Sequence, residues 1–441
     1  MHGRQRTIES PGSIVWPAHG SASRSGLCTV KKLVEAKVRT NEARQLLAPV
    51  WNAIRTSTPD FENVFSTDAV HYYRSLLRIL YLALHFHLIE DTDTSDDASF
   101  RSSFRGTMPT SHNKYAEPIS TQLLEILSDT VAKGFRSLAN QLHAEPTSVS
   151  PSDFALLTAL LQRIIAIPEM SKWQQQAALL FANSNTVRYA TSLFSWADRL
   201  TISHNGIDDP IYGELSVLFL LSLSSIQALA ETMAVEGILS QLNTANIMNY
   251  YRRVNGMGPF DNPSRMYSIW TKGILPLCLN LLLSVGPPIA AEISSFLNQF
   301  PEQLARSALS INSNPSSRTS ATQKITLAVA SEVHSLSLIS SILENVRKQG
   351  PKLGIQANDV ALLDWDKENI KEDVESWLNR KSALRERIVA IDERELEMLS
   401  SRKGQGEDAL SELEKRVFGE LEDAGKCLGV GNGNGNGNGK K

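Results

Sequence analysis

The chain has 441 residues, 42% of them apolar and 21% charged, with 44 Lys and Arg against 47 Asp and Glu for a formal net charge of −3. That is enough apolar material for a substantial core, and the lack of a basic excess or a long Lys/Arg stripe argues against wrapping nucleic acid or lying on an anionic membrane. Three widely spaced cysteines, Cys28, Cys278 and Cys427, form no CxxC pair and read as idle thiols of a reducing compartment.

Residues 1–28 carry scattered Pro, Gly and Ser, with no continuous apolar run behind Arg4 and Arg6. They are expected to be disordered and are not a signal peptide. Helical signals take over from Thr29, and no segment alternates like a strand. A first helix is expected over 30–54. A second, over 68–89, places Val70, Tyr73, Leu77, Leu80 and Leu84 on one stripe. The acidic, Ser/Thr-rich stretch 91–117 has too little apolar area to order itself and is expected to be a flexible loop.

The clearest helix is expected over 119–143. Leu123, Leu124, Leu127, Val131, Phe135, Leu138 and Leu142 recur there at spacings of one, three and four, which gives a single apolar face. The next begins at Ser150-Pro151, with Asp153 completing a pattern that resembles a capping box, and stops at Pro168. Further helices are expected over 170–182, 186–200 and 210–235. After these come 245–253, 263–285, 288–300 and 302–309, each bounded by Pro, Gly or Asn. The Ser- and Asn-rich 310–320 reads as a loop.

A long helix is expected over 321–349, with Ile325, Val329, Val333, Leu336, Ile339, Leu343 and Val346 as its stripe and Gly350-Pro351 as its stop. From Asn358 the helices become highly charged, with Ile370, Val374, Trp377, Leu384, Ile388 and Ile391 as a thinner apolar line. Such polar-faced helices suit the closing end of a stack. A terminal charged helix is expected over 401–423, and 424–441, ending in Gly-Asn repeats, as a low-complexity tail.

The most apolar stretches, 215–230 and 274–290, are broken by Ser222, Ser224, Gln227, Pro276, Asn280 and Pro287. A spanning helix needs about 20 predominantly apolar residues, so both are expected to be buried helices and no transmembrane segment is expected. The periodicity amounts to roughly thirteen to sixteen helices without a tetratricopeptide, ankyrin or leucine-rich signature. The fold class that fits is all-α, an α-solenoid of HEAT/armadillo-like antiparallel helix pairs over 29–400. Each amphipathic pair can hide its apolar face only against its neighbours.

The search for chemistry finds no phosphate loop, dinucleotide fingerprint, nucleophile elbow or zinc-protease motif, so no catalytic, cofactor-binding or metal-ligating residue is assigned. His85 and His87, two apart on a helix, point in nearly opposite directions and cannot share a metal; His71 is too distant to help. The acidic cluster Glu90, Asp91, Asp93, Asp96 and Asp97 lacks the turn glycine and terminal Glu of a calcium loop. Asp208 and Asp209 before Pro210 read as helix-starting anions. Gly256-Met257-Gly258-Pro259 reads as a turn, and Arg252-Arg253 as ordinary basic residues at a helix end. Trp196 and Trp270 read first as buried packing residues. The local density of aromatics nevertheless makes Tyr250, Tyr251 and Trp270 the candidate partner-binding residues.

One segment says more. Met266-Tyr-Ser-Ile-Trp-Thr-Lys-Gly-Ile-Leu-Pro-Leu-Cys-Leu-Asn-Leu-Leu-Leu283, continuing through Val285-Gly-Pro-Pro-Ile to Phe296-Leu-Asn-Gln-Phe-Pro-Glu-Gln-Leu304, resembles the C-terminal region of the fungal large inner-ring nucleoporins of the 188-kilodalton type. The flanks 209–253 and 365–377 resemble the same family, and the likeness covers about residues 30 to 400. The resemblance implies a right-handed superhelical stack similar in shape to transport receptors. It implies residence in the nuclear pore complex at the nuclear envelope and a scaffold role without catalysis or cofactors. Implied partners are other nucleoporins: helices of linker nucleoporins, Phe-Gly-repeat segments or transport receptors, with no direct nucleic acid. The proteins resembled are several times longer, so the chain is expected to be a split or truncated counterpart. An adaptor of the karyopherin kind with the same α-solenoid is the alternative reading.

Overall fold

The structure is a computed structural model that describes residues 43–88, 119–204, 206–313, 324–353, 359–401 and 410–430. The expected disordered start, most of the acidic loop with its Glu90–Asp97 cluster, the second half of the 310–320 loop and the Gly-Asn repeats lie outside the described residues, as does the first part of the 30–54 helix. Chain packing divides the protein into two units, the first ending at Tyr189 and the second beginning at Ala190. The division falls inside a helix, where no composition shift marks it.

In the first unit, α1 (Leu47–Ser57) packs on α2 (Val70–His85), and α2 packs on α4 (Pro151–Ile165). Between them in sequence lies α3, residues 119–144, whose hydrogen bonding widens to a π-helix over Ile126–Ala132. The apolar stripe read from sequence is the buried one: Leu123, Leu127, Val131, Phe135, Leu138 and Leu142 are all in the core, and Phe135 meets Phe154 edge-on at 5.1 Å. Gly134 lets α3 approach α4, since a Cβ there would sit 3.2 Å from Leu157. Pro151 opens α4 as expected. Ser150 makes no capping bond; Asp153 is instead gripped by both ends of the Arg74 guanidinium at 2.7 and 2.6 Å. Trp51 and Arg55 both donate to Glu125, at 2.9 and 3.1 Å. After the break at Pro168 comes α5 (Gln174–Asn183), and α6 (Thr186–Ser195) crosses into the second unit.

The second unit corrects the reading of 202–209. Those residues form an antiparallel hairpin, β1 (Ile202–His204) paired with β2 (Ile207–Asp209), with Ser203 opposite Asp208. Asp208 accepts from Ser203 across the hairpin, and Asp209 pairs with Arg265. Neither caps the next helix, α7 (Ile211–Ser224), whose N-cap is Pro210. α8 (Gln227–Val235) follows at 117° to α7, and α9 (Ile238–Asn243) after that.

The centre of this unit is α10 (Arg265–Val285), packed against α7, α8 and the long α13 (Leu327–Leu353). Pro276 lies within α10. It has no N–H to give to the preceding turn, and the helix relaxes into a π stretch over Ile269–Ile274 immediately upstream. α11 (Ala290–Leu297) and α12 (Pro301–Leu309) complete this layer.

Three further expectations fail on α13 and beyond. Ile325 lies before the helix and bridges to Ile388. Gly350-Pro351 does not stop α13, which runs on to Leu353. The terminal charged helix runs not to 423 but to Leu428, as α17 (Glu412–Leu428), ended by Gly429 at φ +74°. Before it come α14 (Lys367–Asn379), α15 (Lys381–Arg387) and α16 (Glu393–Ser400). Ile370, Val374, Trp377, Leu384 and Ile388 of the thin stripe are buried, while Ile391 is exposed. α17 starts with a full capping box between Ser411 and Glu414 and packs along α13, α14 and α16.

Counting each π-interrupted helix once, the described residues hold seventeen α-helices. By length and composition alone, Arg265–Val285, which overlaps the apolar stretch 274–290 singled out from sequence, and Leu327–Gly350, which does not match either stretch, could each cross a membrane. Within the fold, 56% and 61% of those windows are buried against other helices.

Candidate functional site

The aromatic residues singled out from sequence converge on the space between α10 and α12. Tyr251 and Trp270 lie with ring centroids 5.1 Å apart, and Phe300 completes the group at 6.2 and 5.6 Å. The Tyr251 hydroxyl donates to the Met266 carbonyl at 2.7 Å. Both Tyr251 and Trp270 are fully buried, and burial drives the Tyr251 phenol well above its ordinary pKa. This corrects their candidacy: neither ring reaches the surface, so they act by packing. Tyr250 is half-buried, and the Arg253 guanidinium lies 3.9 Å over its ring.

Beside this aromatic group is a buried polar cluster that the sequence reading missed. Glu332 of α13 has no exposed surface. It accepts from the Tyr267 hydroxyl at 2.5 Å and from Gln303 Nε2 at 3.2 Å, and Arg306 NH1 lies 3.6 Å away. Burial raises its carboxyl above the ordinary range, and Arg306 and the hydrogen bonds oppose that rise. Gln303 also closes the 256–258 turn: its amide oxygen accepts from Met257 N–H at 2.7 Å and its amide nitrogen donates to the Met257 carbonyl at 3.0 Å. The turn reading of this segment therefore holds, with Gly256 at φ +56°. A second ionic cluster joins the hairpin to α7 and α10: Arg265 clasps Asp209, at 2.9 Å through NH2, and also bonds Glu214, which accepts from Ser268 at 2.6 Å.

Among the described residues of this unit, two guanidinium–aromatic pairs keep their ring at least partly exposed. Trp196, expected in the core, is 45% exposed, with Arg199 4.9 Å over its ring; Arg253 on Tyr250 is the other. Arg252 turns the opposite way, over Phe300 at 4.8 Å, and donates to Asn243 and Asn249.

His85 is half-buried and shares a hydrogen bond with Arg163 at 3.1 Å, and burial lowers its pKa. Among the described residues no group of three or more His, Cys, Asp or Glu is placed to hold a metal. Burial pushes the Cys278 thiol far up, and Cys427 is raised for the same reason, which leaves neither as a nucleophile at neutral pH. A cleft of about 210 Å³ between α10, α13, α16 and α17 mixes Lys272 and Arg416 with Asp392, Glu395 and Met398. It offers no nucleophile–base pair.

The family described as nuclear pore protein NUP188 C-terminal domain matches residues 46–428. Nucleoporin NUP188 of Chaetomium thermophilum is 35% identical over 432 residues, 90% of this chain and 21% of the relative. Nucleoporin nup184 of Schizosaccharomyces pombe is 27% identical over 60% of this chain and 15% of its own length. The solved structure of a Nup188 fragment from Myceliophthora thermophila superposes with a TM-score of 0.69 at 34% identity, covering 88% of this chain and 98% of that one. The chain thus spans about a fifth of the length of the first relative. It belongs to the NUP188 C-terminal domain family of nuclear pore proteins.

Proposed function

We propose that the chain is a structural scaffold element of the pore's inner ring that binds linker nucleoporins and supports nucleocytoplasmic transport. The observation that supports this most is the joint one: the family match spans 46–428, and over that span the described core is made of amphipathic helices buried on one another with no reactive constellation. Amphipathic helices that shield each other leave lateral grooves able to take a partner helix through anchors at i, i+3, i+4 and i+7. In this reading the helix pairs over 29–400 form one HEAT/armadillo-like superhelical stack, with 91–117 and 310–320 as loops. The charged helices from Lys367 onward give it a wet closing face.

The test is a tagged chain expressed in a fungal cell, followed by imaging and by affinity capture from nuclear envelopes with mass spectrometry. A stable rim signal and co-purifying linker nucleoporins are expected. Free exchange between nucleus and cytosol, with cargo instead of nucleoporins, would replace the scaffold with a karyopherin-like adaptor.

A further inference from the structure

We propose that the two surface guanidinium–aromatic pairs, Arg199 on Trp196 and Arg253 on Tyr250, form one docking surface for an acidic peptide segment of a partner protein. This deepens the scaffold reading by naming the chemistry of a partner. The two pairs belong to one patch because Asn246 donates to Asp198 at 3.2 Å, which ties the turn carrying Trp196 and Arg199 to the short 3₁₀ helix Asn246–Tyr250. Tyr250 closes that short helix and Arg253 follows one turn later, stacked on its ring, so both lie on the element that Asp198 holds. Arg199 and Arg253 are exposed, and neither guanidinium makes a hydrogen bond or ion pair among the described residues. Of the nearby acids, Asp198 accepts from Asn246 and Glu302 from the Asn255 backbone at 3.1 Å, and neither pairs with Arg199 or Arg253 among the described residues.

The stacking decides the partner. A guanidinium laid flat on a ring keeps its N–H edge outward in a fixed plane, which is the geometry a carboxylate accepts bidentately. Holding the side chain beforehand removes part of the ordering cost that a free arginine would bear on binding. The same stacking puts the cation over the ring face that a nucleobase would need. A carboxylate-bearing peptide therefore fits better than a single-stranded nucleic acid. Val254, 79% exposed beside Arg253, adds an apolar contact for such a segment.

Fluorescence anisotropy with the purified full chain tests this. The probes are a labelled decapeptide of alternating Glu and Gly, its Gln counterpart and labelled (dT)20. The Glu peptide should bind, more weakly as salt rises, and the Gln peptide at least about tenfold more weakly. The double variant R199A/R253A should lose about tenfold in affinity with its thermal unfolding unchanged, because both side chains are exposed. R199K and R253K keep the charge but not the planar fork and should each lose about threefold. Equal binding of the Gln peptide, an unaltered double variant, full retention in both lysine variants or tighter binding of (dT)20 would each overturn the proposal. Intact peptide binding by a chain that fails to reach the nuclear rim would count against the scaffold reading alone.

Discussion

In the first unit, the long helix α3 buries Phe135 against Phe154, the buried carboxylate of Asp153 is gripped by the Arg74 guanidinium, and the pair Arg55–Glu125 sits at the surface. In the second unit the long helix α10 buries Trp270 in an equivalent central place, but a carboxylate, Glu332, is buried beside it with Tyr267, Gln303 and Arg306 arranged around it. Both helices carry a π stretch, and both use a Lys-Gly step, Lys133-Gly134 and Lys272-Gly273, to bring a neighbouring helix close. The same scaffold element therefore tolerates a buried carboxylate held by an arginine fork or one set in a larger network. The network is the more exacting, since every member of it must be satisfied.

The sharpest way to break the contrast is Glu332→Ala. It leaves Arg306 and Gln303 without their partner in the core and should cost about 3–5 kcal/mol, read as a shift of the urea midpoint. Asp153→Ala in the first unit, with Arg74 able to turn toward water, should cost clearly less; equal losses would erase the distinction.

Trp270→Ala should likewise cost about 3–5 kcal/mol, whereas Tyr250→Ala should stay within about 0.5 kcal/mol. Circular-dichroism melts of the two variants would separate packing residue from surface residue.

Next comes the helix approach. A Cβ on Gly273 would lie 2.4 Å from a Val217 methyl, but one on Gly134 only 3.2 Å from Leu157. Gly273→Ala should therefore cost about 1–3 kcal/mol and Gly134→Ala less, checked in the same denaturation series.

The smallest effect is expected at His334, which bonds Glu420 of α17 at 2.7 Å. That bond raises its pKa above 6.5, with further help from Asp423 and opposition from burial and Lys426. Because the folded pKa lies above the unfolded one, the stabilisation is complete below about pH 6.5 and disappears as pH rises through the folded value. His334→Gln should thus match the parent at pH 9 and fall slightly behind at pH 5.5 in urea titrations.

The helices were legible wherever an apolar stripe was long, as in 119–144, and wherever proline marked an edge, as at Pro151 and Pro168. The hairpin was not, although Asn205-Gly206 between Ile202 and Ile207 is a strong two-residue turn signal; Asp208-Asp209-Pro210 drew attention to a helix start instead. Gly350-Pro351 misled because local breakers are only a weak prior, and α13 runs through them to Leu353. Glu332 had a visible mark: it stands three residues after Val329 and four before Leu336, on the buried stripe itself. The aromatic density at 250–270 pointed to a real cluster. Composition cannot distinguish rings that face a partner from rings that face each other, and Tyr251 and Trp270 proved to be the latter.

The π stretches also govern rotation. An α-helix advances about 100° per residue, and a stretch bonded one residue further along winds less tightly, so it resets the angular phase between the two halves of its helix. In α3 that reset lets Leu123 and Phe135, about 120° out of phase on a regular α-helix, both lie in the core. Removing a single residue from either stretch would let the helix return to regular winding with its downstream face close to where it lies now, whereas inserting one more would swing that face by about 100°, carrying buried leucines outward and polar neighbours inward.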